Sequence, residues 1–586
     1  MPRRSPARRT RGAAARLATT LSALALLLAM PAVFAGPPPG PLASHVAAPG
    51  LCSVPVWMVE GDQADCRFGT VAPAGDVNHD GYDDVLVGSY NYDRPEVDEG
   101  VVFLFLGGPG GLASAPAWIG ESNQAGARLA DKLSGAGDVD GDGYDDVVLG
   151  AAFYDSTFTD AGAAFLYRGS PSGLQGEPAW IAIGDQADEQ FAACSQAAGD
   201  VNGDGYDDVI VGAWLADHGQ VNEGRAFVYF GSDTGLADQP GWQGEGDDEG
   251  AAYGYFCASA GDVNADGCDD IVVGARRFGG NGLLEEGRVY VYHGGPSGPS
   301  LTADWIHDAG REKSEEGAST ISAGDVNGDG FGDLLVGSFR WENPDLDEGR
   351  AMLFLGSASG LAHVPAWEVE GGIPRNNFGY HLDGAGDVNG DGFGDVIVSA
   401  PGVDTDNFEN YNAGQVTLWM GSASGLPATP VWTLDGDQDY MALESVRGVG
   451  DVNGDGFADV AVGSLYRDGA FVDAGRAWVF YGCSDGRTAV PPGPVAGVAL
   501  ALAGTNPAIH PAVSFTLAEA GFARLSAFDL SGRRVATLFE GAAPAGTHRV
   551  EWPALTESGE PLPAGVYVVQ LDAQGITRRV KIALLR

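Results

Sequence analysis

Basic residues are scarce in this chain of 586 residues. Lys and Arg together number 32, against 80 Asp and Glu, and the formal net charge is −48. Six of the Arg residues stand within residues 1–35, which hold no acidic residue, so the remainder is more acidic still. Nucleic acids and anionic membranes attract basic surfaces. The composition therefore argues against both of them as partners.

Long apolar runs are missing except at the N-terminus. There, an Arg-rich start precedes the apolar stretch 17–34, and Val33 and Ala35 fit the small residues of a cleavage site. We predict a bacterial-type signal peptide at 1–35, a secreted or cell-surface location, and no membrane span after cleavage. The alternative is an uncleaved anchor, against which the short run and Pro31 argue.

Catalytic motifs are missing as well. The sequence contains no GxSxG, HExxH or Walker A motif, and its nine His are scattered. We therefore predict that the protein is not an enzyme. A carbohydrate-active enzyme that uses two carboxylates is the alternative, because Asp and Glu are abundant, although no pair stands out.

Glycine is abundant, with 91 residues, and much of it lies in one repeated acidic segment. The segment reads DVNGDGYDD in its third copy, and the copies start 62 to 64 residues apart. A fixed period of this length is typical of repeat architectures. We call the copies acidic loops 1 to 7 and number their nine positions from the first Asp. They begin at Asp76, Asp138, Asp200, Asp262, Asp325, Asp387 and Asp451.

Each acidic loop carries oxygen-bearing side chains at positions 1, 3, 5 and 9. Calcium takes six to eight oxygen ligands, and the Gly at position 6 permits a sharp turn around the ion. Position 12 is Val or Leu instead of the Glu of an EF-hand, so the Asp at position 9 must close the site. We predict up to seven structural calcium ions, one per loop, with the main-chain carbonyl of position 7 as a further ligand. The predicted ligands are Asp76, Asn78, Asp80, Tyr82, Asp84, Asp138, Asp140, Asp142, Tyr144, Asp146, Asp200, Asn202, Asp204, Tyr206, Asp208, Asp262, Asn264, Asp266, Cys268, Asp270, Asp325, Asn327, Asp329, Phe331, Asp333, Asp387, Asn389, Asp391, Phe393, Asp395, Asp451, Asn453, Asp455, Phe457 and Asp459.

Short β-rich runs separate the loops. In the second repeat they occupy 147–153 and 162–167, and a Gly-rich turn then leads to 178–180. Runs bounded by Gly, Pro and Asp are typical of strands. Four strands in each of seven repeats predict an all-β fold, a seven-bladed β-propeller over 51–485. We label the strands A to D from the axis outward, so that each acidic loop connects A to B.

The seventh repeat stops after strand C, at Gly482. We predict that residues 53–59 supply its missing outer strand. Cys52 and Cys483 then flank the break in the chain, and we predict a disulfide between them, with two free thiols as the alternative. The sequence does not pair Cys66, Cys194, Cys257 and Cys268. A Trp at one position of strand D recurs in the other six repeats, which favours blade packing over sugar binding.

The rest of the chain divides by composition. Residues 36–50 and 486–505 are rich in Pro, Gly or Ala and are predicted linkers. Residues 506–586 alternate between apolar and polar positions, with turn signals between the runs, which predicts a small Ig-like β-sandwich.

Two family resemblances follow from these motifs. Phe68-Gly69, Phe378-Gly379 and the seven GDVNGDG-type loops resemble the FG-GAP repeats of integrin α-subunit propellers and related bacterial proteins, over about 51–485. The resemblance implies that the acidic loops bind calcium on one face of the propeller. All seven repeats carry the motif, whereas integrin propellers carry it in some blades. No integrin-like remainder follows, so integrin partnership is not implied.

The C-terminal segment has a resemblance of its own. Asn506-Pro507 and 563–567 are similar to the FlgD-like immunoglobulin-fold domain and to the C-terminal sorting domain of type IX secretion. This implies export, or attachment through a secretion machinery or the cell surface.

The face opposite the acidic loops, formed by the B–C and D–A loops, combines acidic and aromatic residues. Loops that vary on a repeating frame are where function commonly lies. We predict that this opposite face binds an extracellular protein or glycan, in a binding or adhesion role. The alternatives are a merely solvated rim and a purely structural surface protein. The predicted contact residues are Tyr92, Tyr154, Trp214, Trp341 and Tyr411.

Overall fold

The structure is a computed structural model, and its described part is all-β, as predicted. It describes residues 50–246, 248–404, 412–483, 498–502, 512–517, 521–528, 533–543, 546–552, 555, 562–563, 565–573 and 576–584. Within these ranges, one turn of 3₁₀ helix at Gly280–Gly282 is the sole helical element. No helix in the described part has the length and hydropathy that a membrane crossing requires. The predicted signal peptide 1–35 and nearly all of the linker 36–50 lie outside the described residues.

Seven four-stranded antiparallel sheets form the blades. The first two strands of the chain are β1 (Gly50–Leu51) and β2 (Trp57–Glu60). Blades 1 to 3 consist of β3 (Phe68–Gly75), β4 (Asp84–Ser89), β5 (Val101–Phe105) and β6 (Trp118–Glu121), then β7 (Lys132–Gly137), β8 (Asp146–Ala151), β9 (Ala163–Tyr167) and β10 (Trp180–Ile183), then β11 (Phe191–Gly199), β12 (Asp208–Ala213), β13 (Arg225–Tyr229) and β14 (Trp242–Glu245).

Blades 4 to 7 repeat this order. Blade 4 consists of β15 (Tyr253–Gly261), β16 (Asp270–Ala275), β17 (Arg288–Tyr292) and β18 (Trp305–Asp308), and blade 5 of β19 (Ser319–Gly324), β20 (Asp333–Ser338), β21 (Arg350–Phe354) and β22 (Trp367–Glu370). Blade 6 consists of β23 (Leu382–Gly386), β24 (Asp395–Ala400), β25 (Gln415–Trp419) and β26 (Trp432–Asp435), and blade 7 of β27 (Ser445–Gly448), β28 (Val460–Ser464), β29 (Arg476–Phe480) and β2.

Burial on both faces explains the composition of the inner strands. Every residue of the B strand β4 is buried, as is every residue of the C strand β5. Strands covered on both faces read as continuous apolar runs. The A strands of neighbouring blades contact one another around the whole ring, β27 against β3 included. They therefore surround the axis.

The ring is closed by the N-terminal segment. Strand β2 pairs antiparallel with β29, with Trp57 opposite Val479 and Glu60 opposite Arg476, so the predicted closure is confirmed. The strand lies at 57–60, slightly later than the predicted 53–59. A second pairing was not predicted: β1 lies against β30 (Gly482–Cys483). The N- and C-terminal ends of the propeller are thus held together by two strand pairs.

The two cysteines predicted to form a disulfide lie on these closing segments. The Cys52 N–H donates to the Tyr481 carbonyl at 2.9 Å, and Cys483 is opposite Gly50. Both thiols are buried in one apolar cluster with Val479. The disulfide itself stays a prediction.

Tryptophans of strand D join each blade to the next. Trp57 packs edge-on against Phe105 of blade 1 at 4.8 Å between ring centres, which extends the pattern to the closing strand. Six of the seven Nε1–H groups donate to a carbonyl in the following blade, as Trp118 does to Gln175 at 3.0 Å. Packing between blades is therefore confirmed as their role. The seven pairs are Trp57–Phe105, Trp118–Tyr167, Trp180–Tyr229, Trp242–Tyr292, Trp305–Phe354, Trp367–Trp419 and Trp432–Phe480, at 4.8 to 5.2 Å.

The C-terminal domain is a sandwich of two antiparallel sheets. Phe515, Trp552 and Tyr567 are buried between them. Residues 498–502 form a strand although their composition suggested a linker, because their backbone pairs with the next strand at the edge of a sheet. One sheet contains β31 (Val498–Leu502), β32 (Ala512–Leu517) and β35 (Gly546–Glu551), and the other β34 (Arg534–Ala543), β33 (Gly521–Phe528), β36 (Gly565–Ala573) and β37 (Ile576–Leu584).

Truncation tests the closure. A chain that begins after Glu60 lacks β2 and loses the Trp57–Phe105 contact, and we expect its melting temperature to fall by on the order of 10 °C. A chain that begins at Gly50 keeps both closing pairs and is the control. Thermal melting with calcium present measures the difference. Equal melting of the two truncated chains would contradict this account of closure.

Candidate functional site

The seven acidic loops lie side by side at one edge of the ring. In each, the N–H of position 8 donates to the position-1 carbonyl of the preceding blade, as Asp269 does to Asp200 at 3.0 Å. The same bond joins blade 7 to blade 1, from Asp83 to the Asp451 carbonyl at 3.2 Å. The loops therefore form a continuous ring linked by backbone hydrogen bonds.

The first Asp of each loop folds the loop around itself. In loop 3, the Asp200 carboxylate accepts the N–H groups of Asp204 and Gly205 at 3.0 and 2.8 Å, and Asp204 accepts that of Tyr206 at 3.1 Å. Gly205 has φ of +91°, a backbone conformation that side chains disfavour. Positions 1, 5 and 6 thus turn the chain as predicted from the motif. The binding of calcium by these residues stays a prediction.

The Asp at position 9 is buried in every loop. In loop 3, its two carboxylate oxygens accept the N–H groups of Val201 at 3.1 Å and Gly231 at 2.8 Å. Gly231 follows strand C, so Asp208 ties the A–B loop to the C–D turn. All seven equivalents make both bonds, a role that the motif alone did not reveal. The residues are Asp84, Asp146, Asp208, Asp270, Asp333, Asp395 and Asp459.

Burial and neighbouring carboxylates oppose the charge on these groups. Burial, together with the charges of Asp204 and Asp200, raises the pKa of Asp208 to about 7 from an ordinary 3.8. The same causes raise the pKa of Asp459 to about 8. A divalent cation beside such groups would stabilise their ionised forms.

Position 3 offers the most direct test of fit to a cation. The side-chain oxygens of Asn78, Asn202 and Asn453 are buried and accept no hydrogen bond. Buried oxygens without a partner are costly, and hard cations take such oxygens as ligands. The donor set of acidic loops 1, 3 and 7 therefore fits calcium. In acidic loops 4 and 5, the Asn264 and Asn327 oxygens instead accept an N–H at 2.9 Å.

Acidic loop 2 differs from the others. Oxygens of Asp138, Asp140 and Asp142 lie within 4.8 Å of one another. Asp140 stands where the other loops have Asn, so this loop has a fourth carboxylate at its predicted ligand positions, but Arg168 lies 2.8 Å from Asp140 and offsets its charge. The same arginine also donates to the Thr234 carbonyl of blade 3.

Position 8 carries a function that the sequence analysis missed. The Asp145 carboxylate accepts the N–H of Asp76 in the neighbouring loop at 2.7 Å. The residue before acidic loops 1, 2, 3 and 7 must be small, because a Cβ at Gly75 would lie 2.2 Å from Asp145, and the glycines before acidic loops 2, 3 and 7 meet a clamping Asp in the same way. The doubled Asp at positions 8 and 9 of loops 1 to 4 was the available signal. The four clamps run from Asp83, Asp145, Asp207 and Asp269 to the N–H groups of Asp451, Asp76, Asp138 and Asp200, at 2.7 to 3.0 Å.

Four of the predicted contact residues lie on the opposite face, in loops after strand B. Tyr92 and Tyr154 are half-buried and pack edge-on against Phe103 and Phe165 at 5.8 and 5.6 Å. Their rings therefore anchor the loops as well as reaching solvent. Tyr411 lies outside the described residues.

The two tryptophans on this face contact arginines. Trp214 donates to the Gln190 side chain at 2.9 Å, and Arg277 lies 5.3 Å from its ring. Trp341 donates to Glu370 at 2.9 Å, and Arg350 lies 3.5 Å from its ring. Both side chains are half-buried and held in place.

A small pocket of about 150 Å³ opens at the axis on the same face. Lys132 begins strand A and Tyr90 follows strand B, so these lining residues lie at the edge away from the acidic loops. Glu444, Arg447 and Tyr466 complete a mixed-charge, aromatic lining. Burial raises the pKa of Glu444 to about 7. A polar group of a ligand would meet donors and acceptors here.

Comparison with known families agrees with this geometry. The FG-GAP repeat model matches six segments, and the FlgD Ig-like domain model matches 509–575. The chain thus combines a propeller similar to those of integrin α-subunits with a C-terminal domain similar to the FlgD Ig-like domain. Blade 5 is outside the matched segments, yet it has the same four strands. The FG-GAP segments are 68–105, 133–167, 197–229, 258–292, 378–419 and 448–480.

Animal integrins are among its relatives. Integrin alpha-5 of Xenopus laevis is 30% identical over 183 residues, which are 30% of this chain and 17% of the relative. Integrin alpha-V of Gallus gallus is 31% identical over 227 residues, 37% of this chain and 21% of the relative. The chain thus spans about a fifth or less of these relatives. A solved structure of PorZ, a surface component of the type IX secretion system of Porphyromonas gingivalis, is also similar. The match covers 86% of this chain and 64% of the PorZ chain, at 12% identity and a TM-score of 0.29. A similarity at this level supports no conclusion about this chain.

Matched substitutions separate the roles of positions 5 and 9. Asp208→Asn replaces one acceptor oxygen by an NH₂ group that cannot accept a hydrogen bond. We expect the free energy of unfolding to fall by about 1–3 kcal/mol, both in calcium and in chelator. Asp204→Asn keeps an acceptor for Tyr206 and is exposed, so it should reduce only the extra stability that calcium provides. Urea unfolding in calcium and in chelator measures both. Equal losses in chelator would contradict the distinction.

The buried carboxyls also predict a pH dependence. Because folding raises their pKa above 3.8, to about 7 for Asp208, their contribution to stability is present at low pH and is lost as pH rises through about 7. In chelator, the melting temperature should rise as pH falls from about 8 to about 5. The gain from millimolar calcium should shrink over the same range, because protons compete with the ion. A calcium gain that is constant with pH would contradict the assignment.

Proposed function

We propose that this protein is a secreted, calcium-stabilised propeller that acts as an extracellular binding or adhesion protein. The observation that carries the calcium assignment is the set of buried, partnerless oxygens of Asn78, Asn202 and Asn453. These oxygens belong to loops that also contain the buried position-9 carboxylate, and each loop is folded by hydrogen bonds to its position-1 carboxylate. The ions would hold the scaffold, because the loops recur in every blade and join the blades by backbone bonds.

The partner is proposed to bind on the opposite face. This face combines the axial pocket with half-buried aromatics such as Trp214 and Trp341. Aromatic rings with a polar group nearby are frequent anchors of binding surfaces. The acidic loops are less suited to a partner, since their carboxylates are committed to backbone N–H groups. An extracellular protein or a glycan fits this chemistry, and we propose no catalytic role.

The C-terminal Ig-like domain is proposed to serve export or surface attachment. The support is its match to the FlgD Ig-like model and the predicted signal peptide at 1–35. The propeller would then be displayed outside the cell, and we expect its calcium dissociation constants to be on the order of the 10⁻⁴–10⁻³ M of extracellular modules.

Binding screens with matched variants test the proposal. We expect the protein to bind a component of a printed glycan array or of a panel of purified extracellular and surface proteins. Trp341→Ala should weaken that binding at least about tenfold, in line with aromatic hot spots. Val364→Ala, an exposed residue of the C–D turn on the acidic-loop side, is the control and should have no effect.

Calcium removal completes the test. We expect chelation to lower the melting temperature and to abolish binding together with it. Binding that is lost while the melting temperature is unchanged would contradict a structural role for calcium. Binding that survives Trp341→Ala and Trp214→Ala together would contradict the opposite face as the binding surface.

A further inference from the structure

A cleft of about 840 Å³ runs along the side of the propeller between blades 3 and 4. One wall is the outer strand β14 of blade 3, and the floor is strand β17 of blade 4. Phe278 lies towards one end and the C–D turn residue Leu301 towards the other. Its volume lies in the range of small-molecule sites, about 300–1,000 Å³. The cleft is separate from the acidic loops and from the axial pocket.

One wall of this cleft carries Gly244, whose lack of a side chain leaves room for the rings of Trp242 and Tyr253. Gly244 is opposite Ala226 in blade 3, as His307 is opposite Val289 in blade 4, so the two positions are equivalent. His307 fills the next cleft: it lies 4.8 Å from Phe354 of blade 5 and bonds to Glu316 at 2.6 Å. Gly244 places no side chain in the cleft between blades 3 and 4.

The floor of the cleft presents an accessible aromatic ring. Tyr290, the third residue of strand C in blade 4, is half-buried, whereas its equivalent in each other blade is at most 9% exposed. The equivalent residue of blade 2, Phe165, is also buried, although blade 1 has a glycine, Gly120, at the position of Gly244. Tyr253 packs edge-on against the Tyr290 ring at 5.3 Å, and Tyr292 is stacked with it at 6.4 Å. The buried equivalents are Phe103, Phe165, Phe227, Met352, Thr417 and Trp478.

Planar polar side chains line the cleft that contains the Tyr290 ring. Arg288 is fixed by Asp308 and lies 3.7 Å from the Phe278 ring and 5.7 Å from Tyr290. Arg225 donates to the exposed Gln243 side chain at 2.7 Å. These groups line the same cleft as Tyr290 and offer guanidinium and amide donors and an amide acceptor. The lining of the cleft also contains Glu245 and Asp248, so the two arginines lie in a site of mixed charge.

We infer that this cleft binds a short oligosaccharide. The apolar face of a pyranose ring would pack on Tyr290, and its hydroxyl groups would exchange hydrogen bonds with Gln243, Arg225 and Arg288. A pyranose ring is bound by an accessible aromatic surface together with fixed hydrogen-bond donors and acceptors, and this cleft provides both. The inference goes beyond the proposed function, because the cleft is on the side wall and needs nothing from the opposite face.

Calorimetry with defined sugars tests the inference on the full-length secreted protein in calcium. The probes are cellotriose, chitotriose and trigalacturonate. We expect at least one to bind, and Tyr290→Ala to weaken that binding at least fivefold. Tyr290→Phe keeps the ring and should stay within about twofold. Phe522→Ala removes an exposed aromatic ring of the Ig-like domain and is the matched control.

A second variant protects the test from a folding defect. Gln243 is exposed, so Gln243→Ala should leave the melting temperature unchanged and still weaken binding at least twofold. Trp341→Ala should leave sugar binding unchanged, which separates this site from the one on the opposite face. Failure of all three probes to bind overturns the inference. Equal binding by wild type, Tyr290→Ala and Gln243→Ala overturns it as well.

Discussion

The buried Asp at position 9 of each acidic loop is the interaction on which the propeller depends. Its two oxygens accept one N–H from its own loop and one from the turn after strand C, as Asp208 does from Val201 and Gly231. It therefore fixes both connections at one edge of a blade. Burial makes its ionised form costly, since its pKa rises to about 7, and the proposed cation at the loop would offset that cost. One side chain would then contribute both to stability and to the proposed metal site.

Neighbouring blades are held together both near the axis and at the outer edge of the ring. Near the axis, A strands contact one another, and backbone bonds link successive acidic loops. At the outer edge, a strand D tryptophan packs on an aromatic ring of the next blade. Trp57 supplies this contact for blade 7, so the closing strand completes the pattern as well as the sheet. Because each contact is repeated, single blades can vary without loss of the ring.

The proposed binding chemistry lies where individual blades differ from the repeated frame. Arg168 offsets the additional carboxylate of acidic loop 2, and position 8 loses its clamp at Gly332, Gly394 and Ala458. The contact between blades 3 and 4 differs from the others, because Tyr290 of blade 4 is accessible in a cleft that Gly244 of blade 3 also lines. The frame is therefore uniform while its side wall is not. A ligand would recognise the exceptions, since the repeated features are occupied by packing.

The sequence by itself determined the number of blades, the strand order, the place of the acidic loops and the closing segment. These follow from a repeat period and from a missing strand, which are properties of the order of residues along the chain. Only the tertiary structure decided what the second Asp of the doubled pair does, that Arg168 meets Asp140, and that a cleft opens beside Gly244. The clamps and the cleft join residues of neighbouring blades, and the Arg168–Asp140 contact joins two loops of blade 2. Such contacts depend on how strands and blades pack side by side, and no local pattern records that packing.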